Sequence, residues 1–494
     1  MDRFHAVPYR DIFDMNLPGS YFAYYVIGRL SGYSDVGFRV ADLLYLCAIL
    51  TTTWCLLKPL HTRVAWVAVT LFGLLYLSFG SFMSLQREYL LILPITLAVL
   101  LASDAARGHL SWRAAGIGLL FGICATIKPH AIIAFPLLLW YLLLPESATV
   151  PRAWRKIVLH IVLPAVLGFC LPVLAALGYL LHTGSLSAFL DIAGGYWPLY
   201  GALSGTHRTV AGVWRFWNLW NGFLSFGSHG ILLLPAFAGV MIARYDSTLP
   251  CEKRRQVWLF TGMAICYCIY PVISGQFWDY HWLIFMYWLT ILIGLAFVER
   301  PGMRTATQLL LPVALLLCTL NFTFHFPEDV VDQFAGHSME KPKEGRVDAI
   351  ARYLTRHLRP GDRVQPLDWT GGAVHAMLLA RAQQATPFIY DFHFYHHISR
   401  PYIQRLRRRF LHALVDTPPR FMVEITRDKP WVHGRDTTQQ FPALARYLME
   451  HYHMAYYGEG FTIYERNVVP YPFGAAINNE NVYCFDNLIA VPKR

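Results

Sequence analysis

What most constrains this chain is a succession of apolar runs, each near the length needed to cross a bilayer, crowded into its first two-thirds. A spanning helix needs about 20 mainly apolar residues, because inside lipid every backbone polar group has to be bonded within its own segment. Candidate runs fall at 36–57, 63–82, 89–103, 113–127, 129–144, 157–182, 229–244, 256–273, 279–298 and 306–324. The pattern predicts an α-helical polytopic membrane protein with about ten spanning helices. Composition agrees: only 15% of the residues are charged, against roughly 25% in soluble proteins.

The net charge of +11 would by itself raise nucleic-acid binding, but the basic residues are distributed as topology signals. Alternate short loops carry Lys58 and Arg63; Arg107 and Arg113; Arg152, Arg155 and Lys156; Arg244, Lys253, Arg254 and Arg255; and Arg300 and Arg304. The intervening short loops hold only Arg87 and Lys128. Basic loops stay cytoplasmic, so residues 1–35, the loop 183–228 and everything after 324 are expected on the outer face. No cleavable signal peptide opens the chain, since Met1–Asn16 is polar. An outer N-terminus then implies an upstream spanning helix absent from this chain, or a different start.

From 325 to 494 the texture changes to mixed charge and moderate apolarity. Helix-like patterns at Val347–His357, 400–415 and 438–452 alternate with strand-like ones at Arg363–Asp368, 420–426 and 461–465. The expectation is a membrane domain over 1–324 and a small extracytoplasmic α/β domain over 325–494. The loop 183–228 is rich in Tyr196, Trp197, Tyr200, Trp214, Trp217 and Trp220, residues that suit a membrane interface or a sugar- or lipid-facing surface.

Ionisable residues near a bilayer are expensive, and here they gather at the outer ends of the spans. Four clusters carry the candidate chemistry. In the first loop, Arg10, Asp11 and Asp14 lie within a Pro/Gly-punctuated run from Val7 to Gly19, where a carboxylate can serve as general base or merely cap a turn. Arg87 and Glu88 open the next outer turn, a forked cation for phosphate oxygens beside an orienting carboxylate. Lys128 and His130 flank Pro129 at a break between two runs, where Lys suits a phosphate and can equally snorkel. Asp279, Tyr280 and His281 form the fourth cluster, a His beside an Asp in an aromatic belt. His393, His396 and His397 read as solvated residues of the outer domain.

No GxxxxGK[ST] loop, GxGxxG turn, HExxH helix or zinc-type Cys/His spacing is present. No Asp-X-Asp signature supports a soluble metal–nucleotide-sugar donor, so a donor presented from the membrane fits better. No cofactor or metal site is assigned, and a divalent cation requirement stays open.

The run Val7-Pro8-Tyr9-Arg10-Asp11-Ile12-Phe13-Asp14-Met15-Asn16-Leu17-Pro18-Gly19 resembles the first extracytoplasmic loop of bacterial GT-C glycosyltransferases, relatives of protein O-mannosyltransferases and lipid A aminoarabinose transferases. Gln86-Arg87-Glu88-Tyr89-Leu90 resembles their next outer loop, and Trp278-Asp279-Tyr280-His281 is similar to a Tyr-His element of one bacterial branch. The resemblance implies an inverting transferase of the bacterial inner membrane. It would use a polyprenyl-phosphate-linked sugar and a lipid, glycan or protein acceptor on the periplasmic side. It places catalysis on Asp14, with Asp11 in support. The charged clusters themselves, read from their position at the outer span ends, put substrate binding on Arg10, Arg87, Glu88, Lys128, His130, Asp279, Tyr280 and His281. The family's first spanning helix and the acidic residue after it have no counterpart here, Asp2 being a poor substitute. A flippase for lipid-linked sugars would instead favour charges at span midpoints, and a surface-polysaccharide ligase or polymerase is the other alternative.

The topology is testable with single cysteines and an impermeant thiol reagent on intact spheroplasts. Positions in 183–228 and 325–494 should react, as should Cys484 where its thiol is exposed, while 104–112 and 244–256 should be shielded. Protection throughout 325–494 reverses the assignment.

Overall fold

A computed structural model describes residues 2–103, 109–144, 154–203, 209–224, 229–246, 249–299, 304–323, 342–427, 429, 431 and 433–467. Each of the ten apolar runs is helical over its described residues: α2 (Asp35–Leu57), α3 (Thr62–Ser78), α4 (Arg87–Ser103), α5 (Leu110–Ile127), α6 (Pro129–Leu143), α7 (Trp154–His182), α9 (Leu233–Tyr245), α10 (Cys251–Ser274), α11 (Asp279–Phe297) and α12 (Thr305–Thr323). Five of these, α2, α5, α7, α10 and α11, are long and apolar enough to cross a membrane. Segments read as outer loops are helical as well, in α1 (Pro18–Ser31), in α8 (Trp214–Leu224) and in the stretch 186–200. Arg107, Arg152, Arg300 and Cys484, used above for topology, lie outside the described residues.

The bundle is arranged around α11. Every residue from His281 to Val298 is buried, and α3, α4, α9 and α10 pack against it. A helix apolar all round has no solvent face to offer, so it goes to the centre. In its middle, the buried Tyr287 hydroxyl is bonded to Thr53 (2.7 Å) and Thr96 (2.9 Å). At the rim α5 and α7 meet through glycines: a Cβ on Gly118 would stand 1.9 Å from the Ala165 carbonyl oxygen, and one on Gly168 2.1 Å from that of Ala115. Small residues let backbones approach where packing alone holds helices together. The other face of α7 leaves Leu163, Val166, Leu167, Leu171 and Leu174 exposed, an apolar surface suited to lipid.

The C-terminal unit is a five-stranded sheet of order β2-β1-β3-β5-β4, built from β1 (Arg363–Leu367), β2 (Gln383–Gln384), β3 (Phe421–Ile425), β4 (Tyr452–Gly458) and β5 (Phe461–Arg466). β1 pairs in parallel with β2 and β3; β5 runs antiparallel to β3 and β4. Alternation along β3 sends Phe421, Val423 and Ile425 towards α13 (Arg346–His357) and α14 (Ala373–Leu379). Met422 faces the other way, into a core shared with α15 (Pro401–Asp416) and α16 (Pro442–His451). The strands and helices expected from sequence are found; α14, β2 and β4 are additional.

That second core also takes in Tyr9 and Phe13 of the first loop and Leu180, Ile192 and Tyr196 around the loop read as 183–228. Phe13 is fully buried, its ring 5.3 Å from Phe388, 5.4 Å from Tyr196 and 4.9 Å from His393, and its N–H donates to the Pro387 carbonyl at 2.7 Å. The first loop, the segment after α7 and the C-terminal sheet therefore share one face of the bundle. Trp214, Trp217 and Trp220 remain exposed, as an interfacial belt requires, whereas Tyr196 is spent on the domain contact.

Truncating a buried Phe typically costs about 3–5 kcal/mol. Phe13→Ala should release the C-terminal unit, read as faster limited proteolysis within 342–467 and a lower thermal midpoint in detergent. Unchanged cleavage would show that the unit docks without this residue.

Candidate functional site

The turn that presents Arg87 and Glu88 is held from below and above. Leu85 adopts a left-handed backbone (φ 51°), a strained state for a branched residue. It persists because its N–H donates to the buried Asp42 carboxylate at 3.1 Å and its carbonyl accepts from Tyr24 at 2.9 Å. Asp42 in turn is neutralised by Arg39 at 2.5 Å and bonded by Tyr76. On the other side of the site, α5 ends at Ile127 and Pro129 forces the extended backbone of Lys128.

Lys128 does not snorkel outward. It is buried, and its ammonium donates to Glu88 Oε1 and, at 2.9 Å, to His281 Nε2. The rings of Tyr270 and Tyr280 lie 5.5 and 5.7 Å from its Nζ, and Tyr270 donates to Glu88 at 3.2 Å. His281 Nδ1 faces the Gln276 carbonyl at 2.6 Å, so that nitrogen carries the proton and Nε2 accepts. Two of the three ammonium N–H bonds are thus used, and the third has no hydrogen-bond partner among the described residues.

Asp14 is fixed by three donors: Tyr21 (2.6 Å) and Asn16 Nδ2 (2.7 Å) on Oδ2, and the Met15 N–H (2.7 Å) on Oδ1. Asn16 links both halves of the site, because its side-chain oxygen accepts from Arg87 while its amide nitrogen donates to Asp14. The remaining N–H groups of Arg87 have no protein partner among the described residues.

These side chains meet at a cavity of about 350 Å³, within the size range of small-ligand sites. Asp14, Arg87, Lys128, His130, Tyr280 and His281, all proposed from sequence, line it. Four others, Arg10, Asp11, Glu88 and Asp279, do not. Asp11 pairs with Arg10 at 2.9 Å on the loop surface, which holds its carboxyl below the usual range, and Arg10 also reaches the Thr183 carbonyl. Asp279 is exposed, outside the cavity lining. Glu88 is outside the lining and meets it through Lys128 and His281.

The contribution of the C-terminal unit was not expected from the sequence. Trp369, Tyr390, Phe392 and His393 complete the wall opposite the cations, together with Trp197 and Tyr200. The expectation that His393 and His396 are solvated is wrong: they are 2% and 1% exposed, and burial pushes both imidazoles down to about 3. His397 is half-buried against the Leu199 carbonyl at 3.0 Å. Only the aromatic density of residues 196–200 signalled this wall in advance.

No family model and no curated protein matches the chain in sequence. Among solved structures it is similar to ArnT from Cupriavidus metallidurans bound to undecaprenyl phosphate, with a TM-score of 0.55 at 11% identity over 92% of this chain and 88% of that one. The apo state of the same protein gives 0.54 at 13% identity with the same coverage. The fold is therefore ArnT-like over nearly the whole length, in line with the GT-C resemblance of the first-loop and second-loop motifs.

Removing one partner of a buried ion pair typically costs about 3–5 kcal/mol, because the other charge is stranded. Lys128→Met should lower the thermal midpoint in detergent by several degrees, and Lys128→Met/Glu88→Gln should recover most of that loss. A double variant no more stable than the single one would argue that the two charges are not coupled.

Proposed function

We propose that this chain is a GT-C-type glycosyltransferase that moves a sugar from a polyprenyl-phosphate-linked donor to a hydroxyl of a lipid, glycan or protein acceptor. The work takes place at the outer face of the bacterial inner membrane. The observation that carries the reading is that a candidate base, Asp14, and two cations, Arg87 and Lys128, line one cavity at the outer helix ends of an ArnT-like fold. The ArnT structure with undecaprenyl phosphate supports the same class of carrier lipid for this chain.

In this reading the donor phosphate lies against Lys128 and Arg87. A compact ammonium with one uncommitted N–H and a guanidinium fork are suited to the charge that grows on the phosphate as the glycosidic bond breaks. Asp14 Oδ1 accepts only the Met15 N–H among the described residues, which leaves lone pairs for an acceptor hydroxyl. Asp14 takes that proton while the hydroxyl oxygen attacks the anomeric carbon from the face opposite the phosphate. The C–O bond to phosphate breaks with its electrons on oxygen, releasing polyprenyl phosphate and inverting the anomeric configuration. The phosphate leaves as a stabilised anion, so no second carboxylate is needed to protonate it. Glu88 keeps Lys128 charged and aimed, and Asp11 braces the loop through its bond to the Val7 N–H at 2.8 Å.

The test is single-turnover transfer from a panel of radiolabelled undecaprenyl-phosphate sugars by protein in nanodiscs, with and without chelator. A general base contributes about 10²–10⁴-fold, so Asp14→Asn should lose that much with donor binding retained, and Asp11→Asn should lose less. Wild-type rates in Asp14→Asn, or retention of anomeric configuration, would exclude the mechanism.

A further inference from the structure

Buried polar atoms in native proteins are nearly always bonded, so orphans ask for an explanation, and an absent ligand is one. Two side-chain nitrogens left without a partner among the described residues belong to the outer wall of the cavity: Trp197 Nε1 and His393 Nε2. The indole nitrogen is a donor only. The imidazole nitrogen can be assigned as well, because a chain of hydrogen bonds fixes its tautomer.

The chain starts at an atom with one possible role. The Phe392 carbonyl can only accept, so His396 Nδ1, 3.1 Å away, carries a proton and His396 Nε2 is bare. Tyr196 then donates to His396 Nε2 at 3.1 Å, and its oxygen is free to accept from His393 Nδ1 at 2.7 Å. His393 Nδ1 is therefore protonated and His393 Nε2 is an acceptor. Burial keeps both imidazoles neutral, so the assignment holds across physiological pH.

Around this donor and this acceptor the wall is aromatic. Trp369 stacks on Phe392 with ring centroids 4.0 Å apart, and Tyr200 meets Phe392 edge-on at 6.2 Å. A π face is negative, and the C–H face of a pyranose is apolar and weakly positive, whereas its hydroxyl edge both donates and accepts. We propose that Trp197 and His393 read the hydroxyls of a sugar ring seated at this wall, Trp197 donating to one hydroxyl and His393 accepting from another.

The inference rests on the glycosyltransferase reading and adds the residues that recognise carbohydrate. The sugar can be the one carried by the donor lipid or one in the acceptor, and the experiment separates the two. Full-length protein in nanodiscs is titrated with undecaprenyl phosphate alone, with undecaprenyl-phosphate monosaccharides, and, with undecaprenyl phosphate already bound, with free methyl glycosides. Trp197→Phe and His393→Phe should each weaken one sugar-bearing arm by about 3–10-fold, the worth of a single neutral hydrogen bond, and leave undecaprenyl phosphate alone unchanged. Loss in the lipid-sugar arm assigns the donor's sugar, and loss in the glycoside arm the acceptor's. A measurement on the unmutated protein guards against misfolded variants. Replacing the hydroxyl that faces His393 by fluorine, which cannot donate, should weaken binding by a similar factor, with no further loss in His393→Phe. Sugar binding indifferent both to the variants and to fluorine at every position overturns the proposal. Failure of the wild type to bind undecaprenyl phosphate would instead count against the transferase reading, while the glycoside arm still reports on the wall.

Discussion

The buried pair of Lys128 and Glu88 is the interaction on which the site depends. Two charges taken out of water at a bilayer edge are tolerable only with close partners, and each partner here comes from a different helix end. Glu88 begins α4, Lys128 follows α5, Tyr270 is in the last turns of α10 and His281 opens α11. Pairing one ammonium with one carboxylate oxygen, Glu88 Oε1, thus brings four helix ends to a common level. The cavity is the space above that level, and its floor is electropositive because Arg87 adds a charge that Glu88 does not cancel.

The roof has a different origin. Phe13 is drawn into an aromatic core with Phe388, Tyr196 and His393, and that hydrophobic contact carries the neighbouring Asp14 to a set position above the cations. Asn16 then connects roof to floor with one amide. A carboxylate and a guanidinium placed in direct contact would neutralise each other. With an amide between them both keep their orientation and both retain free valences towards the cavity.

Much of the architecture was legible in sequence because bilayer and sheet impose simple periodicities. Apolar runs of near-spanning length became helices, and α13, β1, α15, β3 and β5 fall within a few residues of their patterns. Six of the ten proposed site residues line one cavity, since charges at outer helix ends have few structural uses. Arg10 and Asp11 lie outside the lining because the first-loop motif contains two carboxylates, and spacing cannot show which one is turned outward to its neighbour. His393 and His396 misled because a His-rich stretch in a polar-looking domain carries no sign of the aromatic residues, distant in sequence, that bury it.

By itself, then, the sequence determined a membrane-embedded helical body, the face on which its charges collect and the α/β character of its C-terminal part. These are consequences of hydrophobic length and of alternation along a single segment. Tertiary structure decided that the first loop, the residues after α7 and the C-terminal unit converge on the cations, that Lys128 turns inward to Glu88, and that His393 presents a bare nitrogen. Each of those outcomes depends on hydrogen bonds and ring contacts between residues scores or hundreds of positions apart, and no local pattern encodes such pairings.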